Sequence, residues 1–359
     1  MGIAHLNDFL RKNCIEVFEE IHISEYAYMK VAIDTSLFLC KFKAIHHEKW
    51  LEAFIKLVSC MRRNEIHCVF IYDNGSPPEK EAEKAERRAQ QEKNKQRVIE
   101  LETSLEKYYN TGVISESLLD LYNKSADLKP KKRLLSNVTI KDEHEINTEV
   151  ILEKIAKMKK NILNISLADF ELTKQLFDIL KIPYFNAPME AETCCADLCK
   201  RGIVDAVMSE DTDVLAYSAP VFLTKIDVYR DKCIRIHHDE VLKALELTDA
   251  QFLDLCIMFG CDYNKNIYKV GPVLSYRYLR KYGSIDEIEN KLEIDVSNLN
   301  HVRTRQLFTE YEKIDLTSIP FCGTPDLKNL EKFVIDNNLN IDFEKLKKDF
   351  MHNNIIIEE

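Results

Sequence analysis

The sequence predicts an α/β protein built on an open sheet with parallel strands. Three observations carry that expectation. Residues 30–34 and 68–73 are short apolar runs that each end in an acid, Asp34 and Asp73, with a helical stretch between them; strand, helix, strand is the unit of a parallel sheet. Residues 182–185 and 204–208 are two more strand-like runs, followed by the acid pairs Glu190/Glu192 and Asp211/Asp213. An apolar-periodic helix over 167–180 leads into the third of these strands.

In open α/β sheets, ligands bind beyond the carboxyl ends of the strands. Four carboxylates gathered there repel one another unless cations bind between them. An all-oxygen donor set suits Mg²⁺ or Mn²⁺ rather than zinc. For either pair alone, a capped helix or a solvated acidic turn is the competing reading. Acids at equivalent places elsewhere therefore decide the matter.

The chain of 359 residues, 45% hydrophobic and 31% charged, is long enough for one large or two ordinary domains. It contains no apolar run of ~18 residues, so no transmembrane span and no membrane partner are expected. The N-terminus lacks the basic and apolar regions of a secretory signal. Met1-Gly2 suggests myristoylation, but Leu6 stands where that signal carries Ser or Thr. The 11 cysteines include no CxxC pair, and Cys194, Cys195 and Cys199 cluster without a histidine at zinc-site spacing. Free, mostly buried thiols in a reducing, intracellular setting follow. A net charge of −10 runs against nucleic-acid binding unless the two signs are segregated.

In chain order, residues 1–20 begin as an amphipathic helix (Ile3, Leu6, Phe9, Leu10). Asp34 closes the first strand and also fits as an N-cap. A helix is expected from Leu37 to about Arg63, with the single tryptophan, Trp50, as a packing residue. After Asp73, the turn Asn74-Gly75-Ser76-Pro77-Pro78 opens a charged segment over 79–108. Within it Lys80, Lys84 and Arg87 fall at i, i+4 and i+7 and share one helix face. That face is either solvated or turned toward the acids to hold a phosphate. Residues 127–133 form a basic run, read as a loop with phosphate contact, and 149–160 an amphipathic helix.

Farther on, 221–228 and 233–236 read as a hairpin and 249–260 as a helix. Asp262 lies just past that helix, where the dipole disfavours an acid; it is either a cation ligand or a turn former. Val270-Gly271-Pro272 then precedes a helix bearing Arg277, Arg280 and Lys281. A glycine that permits close backbone approach, next to a helix N-terminus, suits a phosphate grip; an ordinary helical hairpin is the alternative. Beyond residue 287 the pattern is helical and carries no readable motif.

The blocks Met1-Gly2-Ile3, Val31-Ala32-Ile33-Asp34, Phe70-Ile71-Tyr72-Asp73 with Pro77-Pro78, and Ile182-Pro183-Tyr184 through Glu192 stand in this order in the chain. Ser209-Glu210-Asp211-Thr212-Asp213 and Phe259-Gly260-Cys261-Asp262-Tyr263 follow. With these blocks the chain resembles the XPG/flap endonuclease family of structure-specific 5′ nucleases, and its richness in Lys, Ile and Asn would suit the AT-rich genome of a viral member. The family uses seven acids, whose counterparts are Asp34, Asp73, Glu190, Glu192, Asp211, Asp213 and Asp262. The resemblance implies a mostly parallel central sheet flanked by helices, the PIN-like 5′ nuclease fold, within one nuclease domain over 1–359. Its parts would be an N-terminal nuclease block (1–108), a helical arch (79–164), an internal nuclease block (165–245), a helix-two-turn-helix region (249–300) and a C-terminal helical segment (301–359).

It also implies cleavage of 5′ flaps in branched DNA with 5′-to-3′ exonuclease activity, serving replication, repair or recombination. Two Mg²⁺ ions would sit among the acids, with Mn²⁺ as a substitute, and a K⁺ ion would sit in the hairpin region. Lys80 would clamp the scissile phosphate, with Lys84 or Arg87 as the second arch cation. Gly2, Lys269, Gly271, Arg277, Arg280 and Lys281 would contact DNA. A monomer in the nucleus or at a viral replication site is expected, and the C-terminus carries no sliding-clamp motif.

Some positions depart from the family pattern. Lys84 stands where local alignment expects an arginine, whereas helical spacing from Lys80 favours Arg87. Cys40 replaces an aromatic after the first acid, with Phe38 and Phe42 nearby. Lys269 stands where the family has glycine, and Val273-Leu274 where it often has basic residues. The arch is longer than is usual, and its charged segment, poor in apolar surface, is expected to order on DNA. The remaining readings are an exonuclease or a bubble or junction endonuclease of the same family, and a non-catalytic DNA-binding scaffold. Retention of all seven acids argues against the last.

Overall fold

Period-2 apolar runs form the strands and 3.6-period stretches the helices of a computed structural model that describes residues 2–126, 147–160, 162 and 165–351. The basic run at 127–133 lies outside the described residues. In order the elements are α1 (Leu6–Asn13), β1 (Glu19–His22), β2 (Lys30–Asp34), α2 (Thr35–His46), α3 (Trp50–Arg63), β3 (His67–Tyr72), α4 (Glu81–Thr111), α5 (Glu116–Ala126) and α6 (Thr148–Lys160). Then follow α7 (Leu167–Leu180), β4 (Tyr184–Asn186), α8 (Ala191–Lys200), β5 (Ala206–Met208), α9 (Asp213–Ala216), β6 (Val221–Asp227), β7 (Lys232–His237), α10 (His238–Leu245) and α11 (Asp249–Phe259). The chain closes with α12 (Pro272–Tyr282), α13 (Ile285–Leu292), α14 (His301–Thr309), α15 (Leu327–Asp336) and α16 (Phe343–Met351). It divides into two units, residues 1–83 with 165–359, and residues 84–164.

The first unit holds a seven-stranded sheet in the order β1-β7-β6-β5-β2-β3-β4. From β6 to β4 the pairings are parallel; β7 and β1 extend the β6 edge antiparallel. Both faces are covered, as a parallel sheet requires. Ala32, Val69, Ile71, Val207 and Phe222 pack on one side with residues of α1, α8, α10 and α11. Val31, Ile33, Phe70, Met208 and Leu223 pack on the other with residues of α2, α3, α7, α15 and α16. The alternation within each strand (Val31 and Ile33 against Ala32) is the period-2 signal read from the sequence.

Two expectations are corrected. The helix from Leu37 to Arg63 is two helices, separated by a 3₁₀ turn at His47–Lys49 with His47 at φ 52°. The polar run His46 to Lys49 interrupts the apolar stripe there, and no glycine or proline marks it. Phe42 and Trp50 then both reach Phe54, with ring centroids at 5.1 and 6.1 Å. Trp50 is a buried packing residue, as expected. Likewise α1 stops at Asn13, and Glu19–His22 is an edge strand on β7. Only Ile21 of that strand is buried; ion pairs from Glu19 to Arg235 and Glu20 to Lys232 hold its polar residues across the strands.

The second unit has an apolar cluster of its own: Val98, Leu101 and Leu105 of α4, Leu118 and Leu121 of α5, Ile151 and Ile155 of α6. The first residue that α4 buries is Val98. The cysteines are free and, apart from Cys40 and Cys261, buried. Among the described residues no helix is long and apolar enough to cross a membrane.

Candidate active site

The topology delivers the acids to one edge. Asp34 is the last residue of β2, and Asp73 follows β3. Glu190 occupies the N-cap position of α8, just beyond β4. Asp211 and Asp213 follow β5. These are the carboxyl ends of neighbouring parallel strands, with β2 central between β5 and β3. Asp262 comes from the turn after α11. That turn is tied to the N-terminus where Ala4 N–H donates to the Gly260 carbonyl, 2.9 Å.

Local bonds fix each carboxylate. Asp34 accepts from Leu37 N–H (3.0 Å) and so caps α2 while facing the site. Asp73 accepts from Ala191 N–H (2.7 Å), which joins the second acid to the segment carrying the third and fourth. Asp211 Oδ1 accepts from Asp213 N–H (3.0 Å), and Ser209 Oγ accepts from Asp211 N–H (3.1 Å). Gly2 packs so closely on this turn that a Cβ there would stand 2.0 Å from Asp211 Oδ1 and 2.8 Å from Asp213 Oδ1, and its φ is +83°. Gly2 thus lies beside the acids.

Carboxylate oxygens of Glu192, Asp211 and Asp213 lie within 4.8 Å of one another, and all three residues are buried. Burial raises the pKa of Glu192 and Asp213, and the neighbouring Asp211 raises both further. Burial also raises Asp34, with Asp73 adding to it. Asp211 is raised by burial, against the opposing bond from Asp213 N–H. Among the described residues neither oxygen of Asp213, nor Glu192 Oε1, has a hydrogen-bond partner. Buried carboxylate oxygens without hydrogen bonds are costly. These orphaned oxygens, all hard donors, fit a divalent cation of the Mg²⁺ type.

Lys80 enters this cage. Its Nζ lies 2.6 Å from Glu190 Oε1, 3.0 Å from Asp262 Oδ2 and 3.6 Å from Glu192 Oε1. Burial lowers its pKa, but the charges of Glu192, Glu190 and Asp262 outweigh that and hold it above the ordinary lysine value. The structure therefore brings together the seven sequence-selected acids and Lys80. Lys80 sits in a 3₁₀ turn (Pro78–Lys80) rather than in α4. Lys84 and Arg87 are on α4 within the second unit.

Sequence reasoning missed two tyrosines. Tyr263 OH donates to Glu190 Oε2 (2.7 Å), and the Tyr217 and Tyr263 hydroxyls are 2.8 Å apart. Tyr263 has one proton to give, so Tyr217 donates to Tyr263. Burial raises the Tyr263 pKa, with Tyr217 and Glu190 adding to it, which keeps it a donor. The adjacency of Tyr263 to Asp262 was the available signal; nothing local marked Tyr217. Phe38 and Phe42 are buried and present no ring for stacking.

Of the residues selected for DNA contact, Lys269 precedes α12 with its ammonium over the Tyr268 ring, 5.1 Å. Gly271 is the N-cap of α12, and a Cβ there would meet nothing within 4 Å. Arg277 and Lys281 are exposed. Arg280 instead binds the end of α10, at the Leu245 carbonyl (3.2 Å) and Glu246 Oε2 (2.5 Å).

Carboxylates converging at the switch of a parallel sheet belong to a class of fold with solved representatives. The catalytic core of Rad2 in complex with DNA substrate matches with a TM-score of 0.65 at 16% identity, covering 97% of this chain and 98% of that one; the fold is that of this nuclease core. The XPG N-terminal domain model matches residues 1–94 and the XPG I-region model residues 181–262. Over 395 residues the chain is 31% identical to the probable RAD2-like endonuclease 369L of Invertebrate iridescent virus 6, covering 99% of this chain and 93% of the relative. It is 26% identical over 384 residues to Flap endonuclease 1 of Debaryomyces hansenii, covering 97% and 88%. The chain belongs to the XPG/flap endonuclease family and is a nuclease, an enzyme of the hydrolase class.

Proposed function

We propose that this enzyme is a structure-specific DNA nuclease that cuts branched DNA at 5′ flaps and degrades it 5′ to 3′, in replication, repair or recombination. The observation that carries the reading is the convergence of acids from separate chain segments around Glu192, Asp211 and Asp213, beside the buried Lys80. Asp34, Asp73, Glu190, Glu192, Asp211, Asp213 and Asp262 would hold two Mg²⁺ ions, directly or through water, with Mn²⁺ as a substitute. Bound there, the ions supply a water of lowered pKa and offset charge on the attacking and leaving oxygens.

The chain's own groups do the rest. Lys80, kept cationic by its neighbours, holds a non-bridging oxygen of the scissile phosphate once DNA draws it from Glu190. Tyr263 keeps Glu190 oriented. Lys84 or Arg87 supplies the second cation over the phosphate. The open backbone at Gly271, with Lys269, Arg277 and Lys281, grips duplex phosphates, and a K⁺ ion can share that loop. The enzyme would act as a monomer, in the nucleus or at a viral replication site.

A second reading, an enzyme that is mainly exonucleolytic or cuts bubbles or junctions, is favoured by one feature. Cys40 replaces the aromatic, and Phe38 and Phe42 are buried, so no ring is offered to an unpaired base there. The test is cleavage of 5′-labelled flap, nicked, bubble and four-way DNA with Mg²⁺. Flap cleavage abolished by Asp211→Ala is expected. Cleavage that persists in that variant would refute the site, and a preference for nicked, bubble or four-way DNA would select the second reading.

A further inference from the structure

Lys80 reaches the acids from the last position of a single 3₁₀ turn, Pro78–Lys80. The turn runs directly into α4 at Glu81, so it sets where that helix starts beside the acids. Within the turn, Lys80 N–H donates to the Pro77 carbonyl at 3.1 Å. Pro77 and Pro78 line a cavity of about 190 Å³, shared with Pro188, Met189, Leu307 and Arg303. Arg303 of α14 reaches the turn. Its Nε donates to Glu79 Oε1 at 2.7 Å, and its Nη1 reaches Gln306 Oε1 at 3.4 Å. The guanidinium holds the Glu79 carboxyl below its usual pKa. Glu79 is thus tied to α14, while the next residue, Lys80, reaches Glu190 and Asp262.

We propose that Arg303, acting through Glu79, is a positioning residue that sets where the Lys80 ammonium stands. The inference rests on reading Lys80 as the phosphate clamp. The Arg303 side chain is 48% exposed and that of Glu79 23%, and a partly exposed ion pair adds about 1 kcal/mol or less to stability. The effect therefore falls on rate, because misplacing a catalytic group by about 1 Å costs roughly 10²-fold. Arg303 needs no contact with DNA for this, which separates its role from that of a phosphate-binding arginine.

The experiment is single-turnover cleavage of 5′-flap DNA with Mg²⁺, with flap affinity measured in Ca²⁺. The variants are Arg303→Ala, Glu79→Ala, the double variant, Arg303→Lys and Lys80→Ala. Arg303→Ala and Glu79→Ala are each expected to slow cleavage about 10- to 100-fold at unchanged flap affinity, with the melting temperature shifted by only a few degrees. The double variant should be no slower than either single one, and Arg303→Lys should regain most of the rate. Multiplying losses in the double variant, a wild-type rate for Arg303→Ala, or weakened DNA binding in Arg303→Ala but not in Glu79→Ala would overturn the inference. Wild-type cleavage by Lys80→Ala would instead overturn the clamp reading. An inactive Lys80→Ala beside an unaffected Arg303→Ala would remove only the role given to Arg303.

Discussion

Tyr263 donates its hydroxyl proton to Glu190 Oε2 across 2.7 Å, while Lys80 holds the other oxygen of the same carboxylate at 2.6 Å. Glu190 is thereby oriented from two sides. A hydrogen bond to a charged group is worth about 1.5–3 kcal/mol, so Tyr263→Phe should lower kcat about 10- to 100-fold with the fold intact. Single-turnover rates and circular dichroism of the same preparation check this; an unchanged rate would show that Tyr263 does not orient Glu190 in the DNA complex.

Asp213 is 1% exposed, and neither of its oxygens has a hydrogen-bond partner among the described residues. In metal-free protein its charge opposes folding. Asp213→Asn should therefore stabilise the fold in EDTA by on the order of 1–2 kcal/mol, seen as a higher melting temperature, while reducing cleavage by roughly 10³-fold or more. Mg²⁺ should stabilise the wild type more than the variant. A variant less stable than wild type in EDTA would show that the carboxylate does structural work.

Gly2 lies at φ +83°, with the space for a Cβ filled by Asp211 and Asp213. Gly2→Ala adds a backbone penalty of about 1–2 kcal/mol and pushes on both acids. Cleavage should fall at least about tenfold, and the Mg²⁺ concentration for half-maximal rate should rise. A metal titration of activity distinguishes this from a simple loss of protein.

Asp286 is held to a pKa of about 2, from 3.8, chiefly by Arg305, with His301 also bonded to it. A carboxyl depressed in the folded state contributes stability above its unfolded value, and that contribution is lost as pH falls. The urea midpoint of the wild type should exceed that of Asp286→Asn at pH 6, and the gap should close between about pH 4 and pH 2. A gap that widens on acidification would contradict the assignment. Asp254 should remain bound to Arg305 in the variant, since it pairs through both oxygens at 2.7 and 2.8 Å.

The parallel sheet and the acids were legible because their signal is local. An apolar run ending in aspartate reads the same in sequence and in space, as at Ile33-Asp34 and Tyr72-Asp73. The break at His47 carries no glycine or proline, and the edge strand Glu19–His22 is mostly polar, so neither left a periodic trace. Lys80 was selected for its helix face, yet its environment comes from Glu190 and Asp262, far along the chain. Tyr217 and Arg303 were invisible for the same reason: each gains its meaning from a partner that only the folded chain supplies. The second arch cation stays divided between Lys84 and Arg87, because spacing and local alignment name different residues.

The seven apolar residues that close on one another between Val98 and Ile155 have an evolutionary corollary. A segment that shelters its own greasy surface can lengthen, shorten or be traded without re-engineering the scaffold from which it emerges. Selection can then rework that segment while the packing of the seven-stranded sheet is inherited unchanged.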